Sequence, residues 1–188
     1  MQAKKNILAI IGSAGSQSAN KKIVEKIAFL TTTFFNLSIY NDLKTLPHFD
    51  PQLSTDNPPK QVLEIREAIN IADGIIICTP EYIFSIPSGL KNLIEWCVST
   101  TVFSDKPIGL ITASLEGRKG HEELLLIMRT VLTKFTDETT LLIQGVKGKI
   151  NDNGEITDSN TEDNLMKFIE GYKTLIENNT SIVPLQPF

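Results

Sequence analysis

Residues 7–20 read Ile7-Leu8-Ala9-Ile10-Ile11, then Gly12-Ser13-Ala14-Gly15-Ser16-Gln17-Ser18-Ala19-Asn20. An unbroken apolar run that stops at small hydroxyl and amide residues predicts a buried strand entering a tight turn. The pattern after Asn20 becomes helical, and Ser18 suits the N-cap. Small residues let the backbone come close to an anion, and the free N–H groups of a helix start point at it. The stretch therefore reads as a candidate phosphate cradle. A plain strand-to-helix turn is the open alternative.

Working outward, apolar runs alternate with helical patterns along the 188 residues. Strands are predicted over 7–11, 37–40, 74–78, 108–112 and 140–143. Helices are predicted over 19–31, 60–72, 88–99, 120–134 and 162–178. The third and fourth strands are nearly all apolar, as strands covered on both faces are. Such alternation predicts an α/β fold with a doubly wound, five-stranded parallel sheet. Strand order 2-1-3-4-5, the flavodoxin-like order, is expected, with residues 1–188 as one domain. Ligands in such sheets lie beyond the carboxyl ends of the strands, at the point where the order reverses. That brings together the loops after strands 1, 3 and 4. Segment 41–59 carries Pro47, Pro51, Pro58 and Pro59 and is expected to lack regular structure, as is the turn Asn151-Asp152-Asn153-Gly154.

Composition narrows the function. Lys and Arg number 18 against 22 Asp and Glu, a net charge of −4. The basic residues are scattered, which disfavours a nucleic-acid partner. No apolar stretch reaches the roughly 18 residues of a membrane span, and the opening residues lack a signal-peptide core. A cytoplasmic location without membrane association is expected. Cys78 and Cys97 have no zinc-site or disulfide spacing; both read as buried. His48 and His121 are far apart, and no metal site is expected.

The loop after strand 3 runs Thr79-Pro80-Glu81-Tyr82-Ile83-Phe84-Ser85-Ile86-Pro87-Ser88-Gly89. Tyr82, Ile83 and Phe84 offer a flat apolar wall suited to a planar ring; packing on the core or on a second subunit is the alternative. Glu81 is a candidate proton donor or a structural residue. After strand 4, Ser114-Leu115-Glu116-Gly117 permits close approach. Arg118 and Lys119 are candidates for a second phosphate or a solvated turn, and His121 reads as a capping or packing residue.

These loops resemble the NADPH-dependent FMN reductase family, the flavodoxin-like group that includes chromate, quinone and azo-dye reductases. Gly12 to Asn20 is similar to its Gly-Ser-x-Arg-x-x-Ser-x-Asn motif. Thr79 to Trp96 is similar to its Thr-Pro-Glu-Tyr-Asn-x-Ser-x-Pro-Gly-x-Leu-Lys-Asn-x-x-Asp-Trp motif. The chain departs at Gly15, where the family usually has Arg, at Ile83 in place of Asn, and at Ser88 in place of Gly. The resemblance implies bound FMN with NADPH or NADH as co-substrate and a small-molecule electron acceptor. It implies cofactor contacts from Ser13, Gly15, Ser16, Gln17, Ser18 and Asn20 to the phosphate. It places the ring against Pro80, Glu81, Tyr82, Ile83, Phe84 and Ser114. No catalytic acid or base is required. It also implies a homodimer or homotetramer, with Leu90, Leu93, Ile94 and Trp96 available either to that contact or to the core. A flavodoxin-like electron carrier or binding module without reductase activity is the alternative function.

Overall fold

The computed structural model describes residues 3–15, 18–151 and 153–180. Its strands are β1 (Lys5–Ile11), β2 (Phe35–Tyr40), β3 (Gly74–Thr79), β4 (Ile108–Ser114) and β5 (Thr140–Gln144). Its helices are α1 (Ala19–Leu30), α2 (Pro51–Asp56), α3 (Lys60–Ile71), α4 (Ser88–Cys97), α5 (Arg118–Thr130) and α6 (Ser159–Thr180). All four strand pairings are parallel, in the order β2-β1-β3-β4-β5. The fold is the expected doubly wound α/β sheet.

Alternation along each strand divides the core in two. Leu8, Ile10, Ile75, Ile77, Ile108 and Leu110 face α3, α4 and α5 through Val62, Ile69, Leu93, Trp96 and Met128. Ile7, Ala9, Ile11, Ile76, Cys78 and Ile111 face α1 and α6 through Ile23, Ile27, Leu165, Phe168 and Tyr172. Every residue of β3 is buried, which is why its sequence shows no polar alternation. Register aligns Ile11 with Cys78, and Thr79 with Thr112. The carboxyl ends of β1, β3 and β4 therefore finish level.

Segment 41–59 corrects the expectation of irregular structure. It holds a 3-10 turn at Leu43–Thr45 and the helix α2. Pro51 occupies the start of α2, where a missing N–H costs nothing and a fixed φ helps. Asp50 caps that helix, accepting from the Gln52 and Leu53 N–H groups at 2.8 and 3.3 Å. Asn92 and Trp96, one turn apart on α4, hold the segment down. Asn92 Nδ2 and Trp96 Nε1 both donate to the Pro47 carbonyl, at 2.9 and 2.8 Å, and Asn92 Oδ1 accepts from Phe49 N at 2.8 Å. Leu90, Leu93, Ile94 and Trp96 are all at most 2% exposed, so they belong to the core and not to an outer face.

A buried cation joins α2, α3 and α4. Arg66 donates through Nε to the Trp96 carbonyl at 2.9 Å, and its Nη2 reaches the Ser54 carbonyl and hydroxyl at 3.1 and 2.8 Å. The guanidinium is thus satisfied by carbonyls and hydroxyls. The expected turn after β5 is closed by Gly154 N donating to Asn151 O at 3.0 Å; Asp152 lies outside the described residues. No described helix is long and apolar enough to cross a membrane.

Candidate functional site

The first loop leaves β1 at Gly12. Its N–H donates to the Cys78 carbonyl at 2.9 Å, carrying the β1–β3 pairing one residue further. A side chain there would sit 2.2 Å from Thr79 Oγ1, so only glycine lets the chain turn so close to β3. Ser13 is 8% exposed, and its hydroxyl accepts from Gly15 N at 3.3 Å. Ser18 has extended backbone and caps α1, accepting from Lys21 N at 3.2 Å. Ser16 and Gln17 lie outside the described residues. Among the described residues, the nearest atom to a Cβ added at Gly15 is Ser13 Oγ at 3.9 Å. Asn20 is buried, and its amide donates to the Ala113 carbonyl at 3.2 Å while its Oδ1 accepts from Cys78 Sγ at 3.3 Å. Asn20 therefore braces α1 to the ends of β3 and β4. Burial pushes the Cys78 thiol well up and the Cys97 thiol to about 12, so both stay protonated near neutral pH.

The second loop is built on reciprocal carboxylate clamps. After buried Pro80, Glu81 turns its carboxylate onto the start of α5. Oε1 accepts from Gly117 N at 3.2 Å and Oε2 from Gly120 N at 2.7 Å. A negative charge at a helix N-terminus satisfies orphan donors and opposes the helix dipole. In return Glu123 of α5 accepts from Ser85 Oγ at 2.7 Å and Ile86 N at 2.9 Å. Glu81 is thus a structural capping residue.

Between the clamps lies a two-residue turn. Tyr82 N donates to Ser85 O at 2.9 Å, and Ser85 N donates back to Tyr82 O at 3.1 Å. The central residues, Ile83 and Phe84, have φ of 52° and 58°. Positive φ at both centres is the signature of the type I′ hairpin turn, which favours Asn and Gly. A β-branched residue there is a genuine outlier, and each such position costs on the order of 1–3 kcal/mol. Ile83 is 95% exposed and Phe84 71%.

The third loop follows β4. Ser114 is half-buried and donates to the Glu81 carbonyl at 3.4 Å. Gly117, at φ 83°, turns the chain into α5. His121 Nδ1 lies 2.9 Å from Thr112 Oγ1, and burial holds its pKa below the usual histidine value. Arg118 and Lys119 are exposed, and Lys119 pairs with Glu122 at 2.8 Å; this is a solvated turn. Among the described residues, no group of three or more His, Cys, Asp or Glu converges to hold a metal.

The first two loops meet across a cleft of about 260 Å³, lined by Gly12, Ser13, Ala14, Tyr82 and Ser88, with Leu43 and Lys44 from the segment after β2 on its far wall. The roles of Asn92, Gly120, Glu123 and Lys44 were not read from the sequence. An amide and an indole one turn apart on an otherwise apolar helix face were the available signal for Asn92 and Trp96.

A doubly wound sheet with three loops gathered at its switch point defines the class: a flavodoxin-like, nucleotide-binding α/β protein. The profile of the NADPH-dependent FMN reductases matches residues 5–142, and the chain belongs to that family of FMN- and nicotinamide-using oxidoreductases. The NADH:(hydroxy)cinnamate reductase subunit CrdA of Vibrio ruber is 32% identical over 128 residues, covering 68% of this chain and 62% of that protein. A quinone reductase of Escherichia coli is 25% identical over 186 residues, covering 94% of this chain and 98% of that protein. The structure resembles FerB, a flavoenzyme NAD(P)H:(acceptor) oxidoreductase from Paracoccus denitrificans, with a TM-score of 0.78, 25% identity and coverage of 93% and 98% of the two chains.

Proposed function

We propose that this chain passes electrons from NADPH or NADH, through FMN, to a quinone, azo compound, metal oxyanion or free flavin. The observation that carries the reading is the cleft that Gly12, Ser13 and Ala14 share with Tyr82 and Ser88, beside the level ends of β1, β3 and β4. The residues suit FMN. The hydroxyls of Ser13 and Ser18 and the start of α1 would hold the phosphate, and the Gly15 N–H would join them on leaving Ser13 Oγ. Ser16 and Gln17 belong to the same stretch of sequence. Asn20 supports the cradle from beneath by fixing α1 to Ala113 and Cys78. Pro80, Glu81, Tyr82, Ile83, Phe84 and Ser114 form the wall for the ring, through backbone groups and apolar side chains.

Bound FMN supplies the hydride chemistry; the protein orients and shields. With a quinone acceptor, one hydride from the nicotinamide and one proton from solvent yield the hydroquinone and oxidised nicotinamide. Glu81 does not enter this exchange, because both its oxygens are engaged by α5. The chain acts as one domain, as a homodimer or homotetramer, in the cytoplasm. Steady-state oxidation of NADPH and NADH by FMN-loaded protein, across one acceptor of each class, tests the reading. Turnover with at least one acceptor supports it. The second reading is a flavin-binding module without turnover, and the observation favouring it is Gly15, where no side chain reaches the phosphate. Tight FMN binding with no nicotinamide oxidation would establish that reading instead.

A further inference from the structure

We infer that Lys44, in the turn after β2, supplies the positive charge that holds the FMN phosphate against the first loop. The inference rests on the FMN reading above and names a further residue for it. It starts from a charge that the loop leaves unmatched. A phosphate monoester carries about two negative charges near neutral pH. Residues 12–20 contain no lysine or arginine, so hydroxyls, backbone N–H groups and the start of α1 are all that the loop itself offers. The next cations along the chain are directed elsewhere. Lys21 reaches along α1 to Glu25 at 3.7 Å, and Lys22 Nζ donates to the Asn151 carbonyl at 3.0 Å.

The fold brings a cation from the other side. Lys44 lines the same cleft as Ser13 and Ala14, and among the described lining residues it alone is charged. Arg118 and Lys119, at the start of α5, do not line it. The backbone of Lys44 is fixed. Leu43 is buried in the core beside α4, and Gly89 lets it close in, since an added Cβ there would lie 3.4 Å from Leu43 Cβ. Thr45 closes the turn, its N–H and hydroxyl donating to the Asp42 carbonyl at 3.1 and 2.7 Å. The Lys44 side chain, by contrast, is 82% exposed, and its Nζ lies 4.0 Å from the Asp42 carboxylate, at the outer limit of an ion pair. An exposed pair of that kind contributes little, and the flexible four-carbon stem lets the ammonium swing to a stronger anion. A phosphate seated between Ser13 and Lys44 would meet neutral donors on one side and a full charge on the other. Charge-assisted hydrogen bonds are the stronger kind.

The test measures dissociation constants by flavin fluorescence quenching, for FMN and for riboflavin, which lacks the phosphate. Wild type is compared with Lys44→Met, which keeps an unbranched stem and removes the charge, and with Lys44→Arg, which keeps the charge. Lys44→Met is expected to weaken FMN about tenfold, the low end of what a charged hydrogen bond gives, and to leave riboflavin unchanged. Lys44→Arg is expected to hold FMN about as tightly as wild type, since a guanidinium also binds phosphate. An FMN constant unchanged in Lys44→Met overturns the inference, while FMN binding by wild type keeps the reading beneath it. Equal weakening of FMN and riboflavin also overturns it, because damage to the cleft would loosen both. An unchanged FMN constant with a raised KM for NADPH but not for NADH overturns it too, and assigns the ammonium to the extra phosphate of NADPH. A wild-type chain that binds neither flavin removes the FMN reading, and this inference with it.

Discussion

The Glu81 carboxylate accepts the Gly120 N–H at 2.7 Å, and the absence of a side chain on Gly120 is what allows it. A Cβ at Gly120 would lie 3.1 Å from both Cβ and Cγ of Glu81 and 3.3 Å from the Ser85 carbonyl. Glycine to alanine within a helix ordinarily gains about 1 kcal/mol. Here the neighbours are a pinned carboxylate and a backbone oxygen, so Gly120→Ala is expected to lower the melting temperature. Glu81→Gln, which places an amide against two N–H donors, is expected to lose about 1–3 kcal/mol. Urea unfolding of both variants checks the pair; a stabilised Gly120→Ala protein would mean that the clamp is slack.

Gly15 leaves the proposed phosphate cradle without the Arg usual in the family, and among the described residues the nearest atom to an added Cβ is Ser13 Oγ at 3.9 Å. Arginine can be added there without a clash near the backbone. A charged hydrogen bond contributes about 1.5–3 kcal/mol, or roughly ten- to a hundredfold in affinity. Gly15→Arg is therefore expected to tighten FMN by at least about tenfold, as read by flavin fluorescence quenching. Riboflavin, which has no phosphate, should show no such gain. Equal tightening of both ligands would place the phosphate elsewhere.

His121 makes stability depend on pH. Its Nδ1 meets Thr112 Oγ1, and burial pushes its pKa down more than the Glu122 carboxylate pulls it up. Above the ordinary histidine value of about 6.5 both folded and unfolded states are neutral, and its contribution to stability is fully present. As pH falls through that value, the unfolded chain takes up a proton that the folded chain resists. Stability drops until the lowered folded pKa is passed, and is constant with respect to this group below it. Unfolding free energies at about pH 7.5 and pH 5 should differ more in wild type than in His121→Asn. Equal differences would show that the imidazole titrates freely.

Arg66 is buried and spends its donors on the Trp96 and Ser54 carbonyls and the Ser54 hydroxyl. Arg66→Met removes the main donor to these buried acceptors, leaving the Ser54 carbonyl to Ser99 Oγ at 3.1 Å and the Trp96 carbonyl to Ser54 Oγ at 3.5 Å, at about 1–3 kcal/mol for each bond left unmade. A loss of roughly 3 kcal/mol or more is expected, with hydrogen exchange in α2 accelerating before exchange in β3. Uniform acceleration across the chain would show that the joint is not local.

The sheet was legible because its strands carry the physics of two-sided burial. Runs such as Ile75-Ile76-Ile77-Cys78 leave no other economical reading. Helix α2 escaped because Pro51 breaks a helix interior but suits a first turn, and only the Asp50 cap tells the two apart. In the site, the turn from β1 into α1 was legible from its small residues. The bracing of α1 by Asn20 was not, because its partners, Ala113 and Cys78, are distant in the chain. The strained turn had no sequence signal, since neither Ile83 nor Phe84 is a turn former. The Glu81 and Glu123 clamps join residues distant in the chain, and nothing local marks them.

The central claim is that the loops after β1 and β3 hold an FMN that NADPH can reduce. The most direct test is the visible absorption spectrum of FMN-loaded protein, without oxygen, before and after NADPH. Loss of the flavin band upon addition of NADPH, and its return upon addition of a quinone, is the predicted result. A flavin that stays bound, with a band that NADPH leaves untouched, would contradict the account.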